Sequence, residues 1–354
     1  MNFRGFLAGL SFIMLAILLQ TNCKAQELYL VRSAGYWTSP IMSEENATYL
    51  AKYSLLIVDG ENTVNNPQCL RQIKKINPSI KLILYSNPIE LYDPMAYFRP
   101  MQTAIAKEIK EKYPQWLLKI SNGEPAVFFK NMILLNMSTD CPRINGLSCA
   151  EYLAKKELDI LKDSIWDGYF MDNGGRNISW VYENQNSKID ANNDHINDIA
   201  DTLDLKWEKG ILKYLSLIRV GMTPNRLLLA NKGSLDFMSY LDGRMFENFP
   251  NNYLGDKKAD GWYKCMENSR KTGLFTIFLV KYKDINFGLA SALLTDNVYL
   301  AIEQDNAGVH PELNPDLGKP LGGARMINNI YYRLYEKGKV EVFPEERRGN
   351  IIKY

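Results

Sequence analysis

Three acidic residues close apolar runs: Asp59 after Leu-Leu-Ile-Val, Asp172 after Gly-Tyr-Phe-Met and Glu247 after Arg-Met-Phe. One such acid would read as a loop cap or turn residue. Three together point to chemistry that needs paired carboxylates, above all cleavage of a glycosidic bond. There one group is protonated to release the leaving oxygen while the other stays ionised to attack or to activate water. Asp172 and Glu247 form the expected pair, with Glu247 as general acid and Asp172 as nucleophile or base; these two roles could be exchanged. Asp59 and the neighbouring Glu61 are expected to bind substrate or assist, as are Asn173 and Asn231 beside the pair. Tyr36, Trp37 and Tyr85 fall at or just beyond strand ends, where their rings could lie flat against sugar rings.

Those acids need strands to carry them. Short apolar runs at 28–31, 55–59, 82–85, 169–172, 227–230, 244–247 and 275–280, with a fainter eighth, alternate with longer stretches of helical period. Such near-continuous apolarity suits parallel strands covered on both faces. Tyr97, Met101, Ile105, Ile109 and Tyr113 recur at four-residue spacing, and Trp207, Ile211, Tyr214, Leu215 and Ile218 share one stripe; both read as core-facing helix. No GxGxxG or Walker loop follows any strand, so the sequence predicts an α/β fold of (β/α)8 TIM-barrel type, with a doubly wound open sheet as the rival. In a barrel the acids would meet at the C-terminal rim of the strands. Extra apolar runs between about 114 and 149 predict an elaborated loop forming a cleft wall, and the chain from about 315 predicts a short closing β segment with a hairpin at Lys337-Gly338. Residues 26–354 are thus expected to form a single barrel domain.

Composition narrows the field. The 354 residues carry 42 Lys plus Arg against 40 Asp plus Glu, a net charge of +2, which leaves no electrostatic footprint for nucleic acid. Apolar residues at 46% and charged residues at 23% are ordinary for a folded chain. There are only two histidines, His195 and His310, so a multi-histidine metal centre is excluded. Nothing calls for a redox cofactor.

At the start of the chain, Arg4 and the apolar run from Phe6 to Leu19 read as a signal segment over residues 1–25, hence an exported protein, whether periplasmic, secreted or on the cell surface. Cleavage after Ala25 and lipid attachment at Cys23, the one route to a membrane, both remain open. Export permits disulfides, and Cys141 with Cys149 could be a pair or two buried thiols, alongside Cys69 and Cys265.

The sharpest local pattern is the run from Asp190 to Asp201. Asp190, Asn192, Asp194, Asp198 and Asp201 stand at positions one, three, five, nine and twelve, and Ile196 is placed to offer its carbonyl at position seven. That is the ligand order of an EF-hand-type loop, which predicts a structural calcium ion. His195 stands where the sharp turn wants Gly, and Asp201 replaces the usual Glu. The alternative is a polar loop capping a helix that begins near Thr202.

The runs WDGYFMDN (166–173), LLLANKG (227–233), RMFENF (244–249) and GKPLGGA (318–324) resemble the hypothetical glycoside-hydrolase-like family fifteen and, more distantly, polygalactosaminidase-type barrels. The resemblance spans most of the chain beyond residue 25. It implies a TIM barrel, a poly- or oligosaccharide substrate, catalytic acids at Asp172 and Glu247, and a calcium-like insert at Asp190 to Asp201. The expected function is an exported glycosidase. The competing readings are a catalytically silent carbohydrate-binding or surface-scaffold protein on the same barrel, and a metal-dependent esterase or deacetylase.

Overall fold

The computed structural model describes residues 32–93, 99–181, 188–232, 235–250, 260–272, 275–303, 313 and 315–354. In chain order the strands are β1 (Ala34–Trp37), β2 (Leu55–Asp59), β3 (Lys81–Ser86), β4 (Glu90–Tyr92), β5 (Lys119–Ile120), β6 (Met132–Leu134), β7 (Gly168–Met171) and β8 (Ile189–Asp190). They continue with β9 (Leu227–Ala230), β10 (Gly243–Phe246), β11 (Phe275–Val280), β12 (Val298–Ile302), β13 (Arg325–Ile327), β14 (Ile330–Tyr335), β15 (Gly338–Phe343) and β16 (Arg348–Lys353).

Eight strands pair in parallel in the order β1-β2-β3-β7-β9-β10-β11-β12. The Leu300 amide donates to the Arg32 carbonyl at 2.9 Å, and Ser33 bridges Leu300 in parallel, which brings the last strand back to the first. The fold is the expected (β/α)8 barrel. The apolar runs at 55–59, 227–230 and 275–280 form strands with those bounds, and three others shift by one residue. The expected first strand at 28–31 lies outside the described residues; the opening strand among them is Ala34–Trp37. Val298–Ile302 supplies the eighth.

Helices Glu44–Leu50, Pro67–Ile76, Pro100–Lys112, Cys149–Ile160, Ala200–Gly221, Asp260–Ser269 and Ile285–Leu293 intervene. Leu203, Trp207, Ile211, Tyr214, Leu215 and Ile218 are fully buried on one face of Ala200–Gly221, as their spacing requires. Of the other stripe, Ile109 is buried in Pro100–Lys112, while Tyr97 is outside the described residues. The wall region carries two small ribbons: β6 pairs with β4, and β5 with β8. Gly210 lets this region press onto its helix, since a Cβ there would sit 1.6 Å from the Met137 carbonyl oxygen.

The chain closes in a four-stranded antiparallel sheet, β13 to β16, with the hairpin between Tyr335 and Gly338. Buried Val340, Val342 and Tyr335 pack with the helix Ile285–Leu293. All four described cysteines are buried free thiols, so Cys141 and Cys149 take the unbonded alternative.

Candidate active site

Side chains alternate across a strand, so every second residue points into the barrel. Ala34, Leu55, Ile57, Ile83, Phe170, Leu229, Met245, Ile277, Tyr299 and Ala301 form that inner layer and pack against one another. The next residues of the same parity, at the C-terminal end, are Tyr36, Asp59, Tyr85, Asp172, Asn231, Glu247 and Glu303. Apart from Asp59, these side chains line one cleft of about 1200 Å³, together with Trp37 and Asn173. The cleft thus brings together seven of the residues named from the sequence: Tyr36, Tyr85, Asp172, Asn231 and Glu247 through strand parity, and Trp37 and Asn173 as the neighbours that follow Tyr36 and Asp172.

Asn231 stands at the centre. Its Nδ2 donates to Asp172 Oδ1 at 2.8 Å and to Glu247 Oε2 at 3.0 Å. Two oxygens on one nitrogen at those lengths are less than about 6 Å apart. Asp172 also accepts from the Tyr85 hydroxyl at 2.6 Å and from the Asn173 amide at 2.8 Å. It is therefore held as an acceptor by three donors. Burial raises the Glu247 carboxyl above the usual glutamate range; the Asn231 bond opposes this, and the charges of Asp172 and Glu303 add to the rise. The two acids thus sit in unlike surroundings.

The tyrosines differ from expectation in how they serve. The Tyr85 ring lies nearly parallel to Phe170 with centroids 6.0 Å apart, and Tyr36 meets it edge-on at 6.0 Å. The Tyr85 hydroxyl donates to Asp172 and the Tyr36 hydroxyl bonds Tyr85, while both rings pack on each other and on Phe170 at the cleft. Burial, then the charge of Asp172, pushes both phenols well above their usual range, so they remain donors. Aromatic surface comes instead from the elaborated wall: Phe128 meets Trp180 edge-on at 4.5 Å, and Phe129 is 52% exposed. Trp37 also lines the cleft, with its indole donating to the Ile41 carbonyl at 3.2 Å.

Asp59 and Glu61 are corrected by the structure: neither lines the cleft. Asp59 is buried against Arg99 at 2.6 Å and accepts from the Glu61 amide. Glu61 accepts from the Met101 and Gln102 amides at 3.0 and 2.8 Å, capping the helix Pro100–Lys112. Both acids fix the wall rather than the substrate. Arg99 in turn stacks over Tyr92 at 4.3 Å and lines the cleft.

Glu90, Glu303 and Lys232 also line the cleft, beyond the residues expected from the sequence. Glu303 directly follows β12, so recognising that strand would have found it. Glu90 sits on the short β4; burial lifts it to about 7 against bonds from the Phe129 amide and Asn87, with Asp172 adding to the rise. No local sequence signal marks it.

The acidic loop folds as an EF-hand-like turn in part. His195 and Asn193 adopt left-handed backbone, φ 67° and 61°, so His195 takes the conformation wanted from glycine. Asp190 is buried and accepts from the Asp194 and His195 amides at 3.1 and 2.8 Å; Asp198 accepts from the Ala191 amide at 2.7 Å. Asn192 bonds Asp194, Ile196 donates its amide to Asp194, and Asp201 lies exposed in the first turn of Ala200–Gly221. Among the described residues no three acidic, imidazole or thiol groups converge as a metal centre. The fit to calcium is therefore one of ligand order and turn conformation, not of a gathered ligand shell.

The model of hypothetical glycosyl hydrolase family 15 matches residues 74–339. No curated protein matches the sequence. Solved structures similar to this one include a Flavobacterium johnsoniae GH31 dextranase complexed with glucose, at 13% identity over 81% of this chain and 38% of that chain, with a TM-score of 0.48. A GH31 alpha-xylosidase from Xanthomonas citri is similar at 9% identity over 78% and 33%, with a TM-score of 0.44. A family GH18 chitinase from Chromobacterium violaceum is similar at 11% identity over 72% and 47%, with a TM-score of 0.40. The chain spans less than half of each of these structures. With its family model covering most of its length and its eight strands wound as a parallel barrel, the chain belongs to hypothetical glycosyl hydrolase family 15.

Proposed function

We propose that the protein is a glycosidase that cleaves a poly- or oligosaccharide, with Glu247 as general acid and base and Asp172 as nucleophile. The observation that carries this is the single Asn231 amide nitrogen bonded to both carboxylates at the rim of the barrel. In the first step Glu247 gives its proton to the glycosidic oxygen as that bond breaks, and Asp172 forms a bond to the anomeric carbon. In the second step Glu247 takes a proton from water, and the water oxygen displaces Asp172. Retaining enzymes place their carboxyls about 5–5.5 Å apart and inverting ones about 6.5–9.5 Å. We assign the shorter, retaining arrangement from the two Asn231-bonded oxygens, Asp172 Oδ1 and Glu247 Oε2, which lie less than about 6 Å apart. The alternative is a silent carbohydrate-binding scaffold on the same barrel, which would bind glycan at this cleft without turnover.

The test is a digestion screen of neutral and acidic polysaccharides with the wild type beside Asp172→Asn, followed by proton NMR of the first product released. Turnover that is absent from the variant, with product of unchanged anomeric configuration, supports the reading. Glycan binding with no turnover in the wild type favours the scaffold.

Two further expectations belong to this proposal. Calcium is the structural ligand of the Asp190 to Asp201 loop, supported by ligand order and by the left-handed turns at Asn193 and His195. A melting temperature that rises with calcium chloride and falls with chelator is the expected result; indifference to both removes the ion. The protein is exported, supported by the apolar run near its start and tested by sequencing the N-terminus of the cell-envelope form.

A further inference from the structure

Lys232 follows Asn231 at the rim and lines the cleft with a half-buried side chain. Its ammonium makes one hydrogen bond among the described residues, to Asn177 Oδ1 at 2.9 Å, and no ion pair. The carboxylates that act on it at longer range are Asp236 and Asp204, neither of which lines the cleft. Asp236 faces Arg176 at 3.9 Å, and Asp204 is committed to Ser179 and the Ile178 amide. Lys232 is therefore not the counterion of the acid pair beside it.

The cation is also placed with care. Gly175 gives it room, since a Cβ there would lie 2.5 Å from Nζ, so a larger residue would displace the ammonium. The Lys232 backbone is left-handed, φ 78°, a conformation that costs a lysine about 1 kcal/mol and turns its side chain off the strand direction. Beneath it lies Arg244, fully buried, whose guanidinium bonds the carbonyls of Gly174, Asn231, Lys232 and Asp236 and forms no ion pair among the described residues. Burial lowers the proton affinity of both groups, and the Arg244 charge further lowers that of Lys232. Lys232 is thus a partly desolvated cation in the cleft with no ion pair among the described residues, a place where an arriving anion can supply one.

We infer that Lys232 is the recognition point for an anionic substituent on the sugar, a uronic carboxylate or a sulfate ester, so that the substrate is an acidic glycan. The inference rests on the glycosidase reading for what becomes of the glycan, but the binding it requires does not depend on turnover.

The experiment therefore measures both. Binding of oligogalacturonate, oligoalginate, hyaluronan and heparin oligosaccharides, with neutral dextran oligosaccharides as control, is followed by calorimetry on the full chain carrying Asp172→Asn, with and without Lys232→Gln or Lys232→Arg. At least one acidic set is expected to bind, with affinity about tenfold weaker in Lys232→Gln, largely kept in Lys232→Arg, and falling as salt is added. The uronic sets and heparin separate carboxylate from sulfate. Failure of every acidic set to bind, or acidic binding that Lys232→Gln leaves within twofold, overturns the inference. Circular dichroism melting of each variant guards against misfolding, and the arginine variant keeps the charge question open to decision if the glutamine variant unfolds. If an acidic set binds through Lys232 and the wild type never cleaves it, the inference stands and the glycosidase reading falls.

Discussion

Asn231 moderates the proton affinity of Glu247 and bonds both carboxylates of the proposed catalytic pair. Its amide donates to Glu247 and so opposes the rise that burial and neighbouring charges impose on that carboxyl. General acid catalysis requires Glu247 protonated, so activity is lost as pH climbs through its raised range. Removing the amide in Asn231→Ala lets that range rise further. A pH profile of kcat/KM is expected to show the alkaline limb moved upward, with the rate at the optimum down by about 10–100-fold as the two carboxylates lose their common anchor. A limb that stays or moves down would separate Asn231 from Glu247. Glu90, lifted to about 7 without touching Asn231, is a second cleft carboxyl with a raised value. Its limb would not respond to the Asn231 substitution.

The elements behind the rim carry their own titration. Glu157, on the helix Cys149–Ile160, is buried and bonded by the Ser86 hydroxyl at the end of β3; burial raises it from 4.5 to about 7. A carboxyl whose folded value exceeds its unfolded one binds more protons when folded, so stability falls as pH rises between those two values. Glu157→Gln keeps the bond to Ser86 and has no proton to lose. It is expected to be more stable than wild type at pH 8 by on the order of 1–3 kcal/mol and nearly equal at pH 4.5, read from urea unfolding. Equal stability at both values would mean that Glu157 does not titrate there.

The same scale explains what was legible. Leu55–Asp59, Leu227–Ala230 and Phe275–Val280 are unbroken apolar runs between polar punctuation, and their bounds are legible to the residue. Val298–Ile302 follows the strongly apolar helix Ile285–Leu293 closely, so its own signal was only faint. The opening strand was expected at 28–31. Ala34–Trp37 carries no local mark of its own, because pairing with Leu55 to Val58 selects it and registry between strands is not a local property. Asp59 carries the same mark as Asp172, an acid ending an apolar strand. Only the fold reveals that Arg99, forty residues later, has claimed it.

At the scale of the whole molecule, the barrel and its C-terminal sheet share a core. Arg333, on β14 and 4% exposed, donates to the carbonyls of Leu293 and Thr295 and to Asp296 at 2.6 Å, while the Tyr335 hydroxyl donates to Leu293. Arg333→Met takes the arginine donor from the carbonyls of Thr295 and Gly322 and from Asp296, while Leu293 keeps the Tyr335 hydroxyl. It is expected to cost about 2 kcal/mol and lower the melting temperature while leaving kcat at 25 °C unchanged. Unaltered melting would show that the sheet is held by apolar packing alone. The barrel's task is to keep Asp172, after the fourth barrel strand, and Glu247, after the sixth, facing one cleft. The most direct test is steady-state hydrolysis, by wild type, Asp172→Asn and Glu247→Gln at matched fold, of whichever glycan the wild type degrades. The account predicts that each variant loses about 10²–10⁴-fold in kcat or more while still binding the glycan. Wild-type turnover in either variant would contradict it.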